Sequence, residues 1–385
     1  MKRITGLIFA FTAFASLIGG SAFADDTVQA TPFPHGAELR APDVDPQSAY
    51  PDVERPLECD VDFNVHARRL EAPEHQPERS EGYHFAGEIM SEVASIQAEW
   101  PGRVSVACAG RSVRRRPIWQ ISISDPTYPI TKRVLVYAQL HALEWLGPEV
   151  ILELVRELSE HPTSGVEVVL MPIVNPDGRL WVESDLLAGR TNVYRRANAH
   201  GVDLNRDFEV NREITSFWSR FPISRRYYYT SPAPLSQPES QVLDSVAATG
   251  FDVTISLHAF GGYIYYPWAG SAELPEDNDR IVELAQVMGA AQRHGSYKIV
   301  QLGRWAFWFK AHGAEIDQMY GRHGALSFLI ELSESGLSLW DPSTWSDYFR
   351  WYNPREPQRH VEQGTDAVLA LVRRLSWEAM TEQGQ

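Results

Sequence analysis

The stretch Val134-Leu135-Val136-Tyr137-Ala138-Gln139-Leu140 runs without a break into His141-Ala142-Leu143-Glu144. A short, largely apolar run of this kind reads as a strand covered on both faces, because a half-exposed strand would alternate polar and apolar residues. Comparable runs stand at 104–107, 118–123, 166–171, 253–257 and 327–332. Between many of them lie segments with apolar residues at helical spacing. The first spans 85–100 (Phe85, Ile89, Val93, Ile96, Trp100), and others fall at 148–158, 237–247, 277–293 and 361–375. Pro148 suits a first helical turn, and Ser236-Gln237-Pro238-Glu239 has the pattern of a capping box with proline inside it. Strands alternating with helices predict an α/β fold: one domain with a central mixed, mostly buried β-sheet flanked by helices on both faces.

The rest of the chain frames that domain. Met1-Lys2-Arg3, an apolar run over 4–18 and the small-x-small pattern Ala22-Phe23-Ala24 read as a signal peptide over 1–24, cleaved after Ala24. Residues 25–82 are rich in proline, acid and arginine and read as an irregular arm. The domain is expected over 83–377, with a tail at 378–385. No later stretch approaches the roughly 20 apolar residues of a bilayer span, so a secreted or periplasmic protein without stable membrane insertion is expected. Cys59 and Cys108 are the two cysteines, too few for a disulfide scaffold or a four-thiolate zinc site. After export they either form one disulfide that ties the arm to the domain or stay as buried thiols. The net charge of −15 disfavours a nucleic-acid partner, because a phosphate backbone repels such a surface. No Gly-x-Ser-x-Gly elbow or phosphate-binding glycine loop is found, which argues against a serine hydrolase or a nucleotide enzyme.

His141 and Glu144, three residues apart at a strand end, can turn toward one point. The run at 253–257 delivers His258 in the same way. Open α/β sheets carry their sites at the carboxyl ends of strands, so the three groups can meet there. Two histidines and a glutamate, with a fourth position left to water, form the ligand set of one catalytic Zn2+. Further segments follow in order: Asn175-Pro176-Asp177-Gly178, Gly201-Val202-Asp203-Leu204-Asn205-Arg206, and Phe328-Leu329-Ile330-Glu331-Leu332. Together with Tyr83-His84, Gly110-Arg111-Ser112, Arg116-Pro117-Ile118, Ser256-Leu257-His258 and Tyr266-Pro267-Trp268, the chain resembles the zinc carboxypeptidases of the carboxypeptidase A type, peptidase family M14.

That resemblance implies a carboxypeptidase-like domain and a secreted zinc metallocarboxypeptidase that hydrolyses the C-terminal peptide bond. It implies His141, Glu144 and His258 as zinc ligands, Asp203 as the carboxylate that orients the first histidine, and Glu331 as general base. Arg195, chosen over its neighbour Arg196, takes the place of the arginine that steadies the oxyanion. Asn205 and Arg206 match the pair that grips the substrate's terminal carboxylate. An ungapped count back from Glu331 matches Asp317 and Tyr320, sets Phe309 where the family has a mobile tyrosine, and sets Ile316 at the floor of the side-chain pocket. An apolar floor favours aliphatic or aromatic residues, whereas a shift of one position to Glu315 would favour basic ones. Leu143 replaces an additional arginine. Phe309 lacks the hydroxyl, for which Tyr320 or one of Tyr227-Tyr228-Tyr229 is a conceivable substitute, although each reads more simply as a packing aromatic. His200, His312 and His323 lack the spacing of a second metal centre. The expected partner is a peptide with a free C-terminal carboxylate, and a monomer is expected. The rival readings are a cell-wall peptide or other amide as substrate, and a non-catalytic peptide-binding module.

Overall fold

The computed structural model describes residues 59, 62–64, 77–212, 231, 233–306, 309–338, 340–382 and 384. The signal segment, most of the arm, Tyr227-Tyr228-Tyr229, Phe307 and Trp308 lie outside them. In chain order the main elements are α1 (Ala86–Glu99), β1 (Val104–Arg111), β2 (Pro117–Ile123), β3 (Lys132–Ala138), α2 (Leu146–Glu160), β4 (Val166–Met171) and α3 (Pro176–Leu187). Next come α4 (Pro238–Ala247), β5 (Val253–Ala259), β6 (Tyr263–Tyr266), α5 (Asn278–Ala290), β7 (Lys298–Gln301) and α6 (Glu315–Gly321). The chain ends with β8 (Leu326–Leu332), α7 (Tyr348–Tyr352) and α8 (Gln358–Glu382). Among the described residues no helix is long and apolar enough to cross a membrane.

The strands form one sheet in the order β1-β2-β4-β3-β5-β8-β6-β7. Its centre, β4-β3-β5-β8, is parallel, and antiparallel pairs flank it at β1/β2, β2/β4 and β6/β8. From β3 the chain first adds β4 on one side and later β5 on the other, so the order reverses at β3. Such a switch point opens a crevice at the strands' carboxyl ends.

Alternate residues of β3 feed two cores. Val134, Val136 and Ala138 pack with α1, α2, α5 and α8, while Leu135 and Tyr137 pack with α4 and α6. Coverage on both faces is the reason the strand runs are apolar rather than alternating. Helix α2 approaches unusually closely. A Cβ on Gly147 would lie 2.8 Å from Ala138 Cβ and 3.1 Å from Leu257 Cβ, so only glycine admits the helix against β3 and β5.

The predicted strand positions are all found, with ends shifted by a few residues, and β6, β7, α3, α6 and α7 are additions. Pro238 sits at the first turn of α4, but the capping box is not made: Ser236 Oγ donates to Asp207, and Glu239 instead accepts from Asn198 and the Val113 amide. The expected boundary at 377 falls inside α8, which continues to Glu382 because Ala379 is buried. Cys59 and Cys108 form a disulfide, and Phe63 of the arm is buried against Trp119.

Candidate metal centre

The turn after β3 carries the first ligand pair, and backbone geometry sets its direction. Gln139 is left-handed at φ 58°, an uncommon state for a residue with a side chain, and it bends the chain out of the strand. Gln139 Nε2 donates to Ala142 O, and Asn175 Nδ2 donates to Leu140 O. Asn353 clasps the far side: its Nδ2 donates to Leu143 O and its Oδ1 accepts from the Trp145 amide. Each of these side chains satisfies buried backbone groups that neither strand nor helix can pair. Asn175 also caps α3, which gives the Asn175-Pro176-Asp177-Gly178 motif a structural role. Its neighbour Asp177 binds Arg116 and the Arg114 amide.

The side chains of His141, Glu144 and His258 converge in a buried group. His141 Nδ1 lies 2.8 Å from Glu144 Oε1, His258 Nδ1 lies 2.8 Å from Glu144 Oε2, and the two Nδ1 atoms are 3.0 Å apart. The outer nitrogens each face a carboxylate: His141 Nε2 is 3.0 Å from Asp203 and His258 Nε2 is 3.0 Å from Glu315. An Nε2–H donated outward leaves the Nδ1 lone pair pointing inward. In that tautomer three electron-pair donors can meet around a cation, which displaces any proton held among them. Bonds of about 2.0–2.2 Å to a tetrahedral zinc place its donors about 3.3 Å apart, close to the spacing here. Among the described residues this is the one cluster of three such side chains.

Charge supports the same fit. Burial disfavours the Glu144 carboxylate, but His141 and His258 beside it outweigh that and hold it well below the usual range. Burial likewise opposes the Asp203 charge, and Arg196, His141 and Arg206 overcome it. Burial lowers the His258 pKa, yet Glu144 and Glu315 push it up to about 10. Glu331, on β8, is paired with His258 across the parallel register of β5 and β8, so both side chains leave the same face. Burial and the neighbouring Glu144 charge push Glu331 up to about 8, against the pull of His258 and Arg196. Its Oε2 is buried and makes no hydrogen bond within the protein. With the ligand histidines neutral, as metal ligation requires, ionised Glu144, Asp203, Glu315 and Glu331 against Arg196 and Arg206 would leave an excess of two negative charges, which a divalent ion would neutralise.

Of the two adjacent arginines, the structure turns Arg196 and not Arg195 toward this centre. Arg196 Nε donates to Asp203 Oδ2 at 2.8 Å and its Nη1 lies 3.6 Å from Glu144. Arg195 is buried against Asp185, with Nε 2.7 Å from Oδ2 and the guanidinium 5.3 Å over the Trp181 ring. The expectation that Arg195 is the one that faces the site is therefore corrected: Asp185 is its partner. Asn205 is buried, with Oδ1 accepting from the Glu315 amide, and half-buried Arg206 follows it on the same turn. Ile316 and Phe309 join one apolar cluster with Tyr265, Ala314 and Leu329. Glu315 points to His258. Leu143 is buried in the main core. Tyr320 donates its hydroxyl to Asp277 and stacks edge-on against Trp268, so it packs rather than serving the site. His200, His312 and His323 are each hydrogen-bonded elsewhere, to Gln237, Asn211 and Asp244. The sequence reading missed Asn353 and the part played by Glu315.

A mixed α/β sheet whose parallel centre presents two imidazoles and a carboxylate at strand ends, with a second carboxylate alongside, has the donor set of a mononuclear metal centre of catalytic type. The chain belongs to the zinc carboxypeptidase family, peptidase family M14, whose pattern matches residues 89–348. The metal of that family is zinc, which the cluster fits. The chain is 27% identical to mouse carboxypeptidase A2 over 270 residues, which cover 66% of this chain and 63% of the mouse protein, and so spans less than two thirds of that relative's length. Carboxypeptidase B of Astacus astacus is 25% identical over 276 residues, covering 66% of this chain and 87% of the crayfish enzyme. Among solved structures, carboxypeptidase A from Helicoverpa armigera superposes with a TM-score of 0.60 at 21% identity, covering 80% of this chain and 77% of that one. Bovine thrombin-activatable fibrinolysis inhibitor, solved with a tick carboxypeptidase inhibitor, gives 0.64 at 19% identity, covering 77% and 98%. These likenesses establish the shared fold.

Proposed function

We propose that this protein is a secreted or periplasmic metallocarboxypeptidase that removes C-terminal residues from peptides. The reading is carried by one observation: His258 and Glu331 are lateral partners in the sheet, so a carboxylate stands beside the ligand cluster. Zinc held by His141, Glu144 and His258 would supply the Lewis acid that polarises the scissile carbonyl and acidifies the attacking water. Glu331 takes one proton from that water as its oxygen bonds to the carbonyl carbon, and delivers the proton to the departing amine nitrogen when the C–N bond breaks. Arg196 offers a fixed positive charge to the developing oxyanion, taking the part first expected of Arg195. Asp203 holds the His141 tautomer.

Asn205 and Arg206 bind the substrate's terminal carboxylate, which restricts cleavage to the last bond. The apolar cluster around Ile316, with Phe309 packed against it, suits an aliphatic or aromatic C-terminal side chain. The Cys59–Cys108 disulfide fits export, because such bonds persist in oxidising compartments. The test is C-terminal residue release from a peptide library. Chelation should abolish release and zinc should restore it. Glu331→Gln should lower kcat by roughly 10²–10⁴ with bound zinc unchanged. Glu331→Gln protein that cleaves at the wild-type rate sinks the mechanism.

A further inference from the structure

Asp203 is not the only carboxylate behind the ligands. Glu315, the first residue of α6, is fully buried, and its Oε1 lies 3.0 Å from His258 Nε2. The contact mirrors that of Asp203 with His141 in atom type and distance. Glu315 is also firmly placed. Its amide donates to Asn205 Oδ1, and the next turn of α6 is tied down by Asp317, which accepts from the Ala269 and Gly270 amides. Gln318 adds contacts to Asp244 and to the Glu209 and Val210 amides. A buried carboxylate is costly without a compensating partner, and the imidazole is the side chain that Glu315 engages.

We infer that Glu315 is a positioning residue for the metal centre: it accepts the Nε2–H of His258, fixes that tautomer, and so aims the Nδ1 lone pair at the ion. The two histidine ligands are thereby each backed by their own carboxylate, from separate parts of the chain. Glu315 is then committed to His258 and is not available to read a basic substrate side chain. Tyr137 and Ser256, buried and paired in the register of β3 and β5, lie on the same side of the sheet; burial raises the Tyr137 pKa, and the Glu315 charge adds to it.

The experiment measures zinc affinity of the full chain by competition with a chromophoric chelator, for wild type, Glu315→Gln and Glu315→Ala. Loss of a carboxylate behind a ligand histidine typically weakens metal binding 10–100-fold. The expected order is wild type tightest, then Gln, whose amide oxygen still accepts the proton, then Ala. The Co2+ absorption spectrum of the Ala variant should shift, and at saturating zinc the preference between C-terminal Leu and Lys peptides should stay as in wild type. Zinc affinities within twofold of wild type in both variants would overturn the inference. So would a tenfold swing in Leu-over-Lys preference at unchanged zinc affinity. If Glu315→Ala fails to fold, the isosteric Gln variant decides alone. The metal titration needs no substrate, so its outcome is separate from that of the peptidase proposal.

Discussion

Exchanging Arg196 and Arg195 for alanine, one at a time, separates two side chains that adjoin in sequence and diverge in space. Arg196 is a charged donor beside Glu144 and Asp203. Removing a single donor from an oxyanion site costs about 10²–10³ in kcat, or about 2.7–4 kcal/mol of barrier. Arg196→Ala should show that loss, with Asp203 still held by His141 and by the Asn205 amide. Arg195 is a different case. Breaking a buried ion pair costs about 3–5 kcal/mol when the partner is left alone. Asp185 is not left alone, since Arg190 Nε also donates to it at 2.8 Å. A cost of about 2 kcal/mol is then reasonable, and at about 2–4 °C per kcal/mol in a large domain the Tm falls by about 4–8 °C. Peptide release by zinc-loaded Arg195→Ala, assayed well below its Tm, should stay within about threefold of wild type. Steady-state kinetics with metal content checked, alongside thermal melts, give both readouts. A hundredfold kcat loss in Arg195→Ala with near-normal turnover in Arg196→Ala would refute the assignment.

Three further outcomes follow from packing and charge. Gly147→Ala should destabilise by about 1–3 kcal/mol, because the new methyl meets Ala138 and Leu257; an unchanged denaturation midpoint would contradict the close approach of α2. Converting Cys59 and Cys108 to serine opens a link spanning 49 residues, worth up to about 4 kcal/mol in the chain-entropy account, and urea denaturation reads the loss. Glu239 is fully buried, and burial raises its carboxyl to about 7 in the folded protein from the ordinary 4.5. The folded state therefore holds the proton more tightly, a stabilisation complete below about 4.5 and lost as pH climbs to about 7, worth up to roughly 3 kcal/mol. Glu239→Gln should flatten the stability profile in that window, and equal slopes for the two proteins would count against it.

The parts of the molecule legible in the sequence share one cause. Strands β3, β4, β5 and β8 are mostly buried on both faces, so their apolar content announces them, and the partly exposed β1 and β2 still carry β-branched residues on their buried positions. Tyr263–Tyr266 and Lys298–Gln301 are four residues each and too short to show a period. Helix α3 hides for the opposite reason: Asp177, Arg179, Glu183 and Asp185 are buried in polar contacts, so no apolar stripe marks it. In the site, His141, Glu144 and His258 were visible because strand ends carried them. The choice between Arg195 and Arg196 was not, since they sit in a loop with no periodicity to fix which side chain turns inward. Glu315 was noticed as a neighbour of Ile316, but its partner is 57 residues away, and only the folded path of α6 brings them together.

The pairing of His258 with Glu331 has an evolutionary corollary. Their separation is dictated by the hydrogen-bonded ladder between two central strands, whose spacing of about 4.8 Å is the same in every sheet. Loops around the crevice are free to lengthen, shorten or exchange residues, and so to change which peptide ends are accepted, without disturbing that distance. Selection can explore new diets on the periphery while the hydrolytic spacing is inherited unchanged.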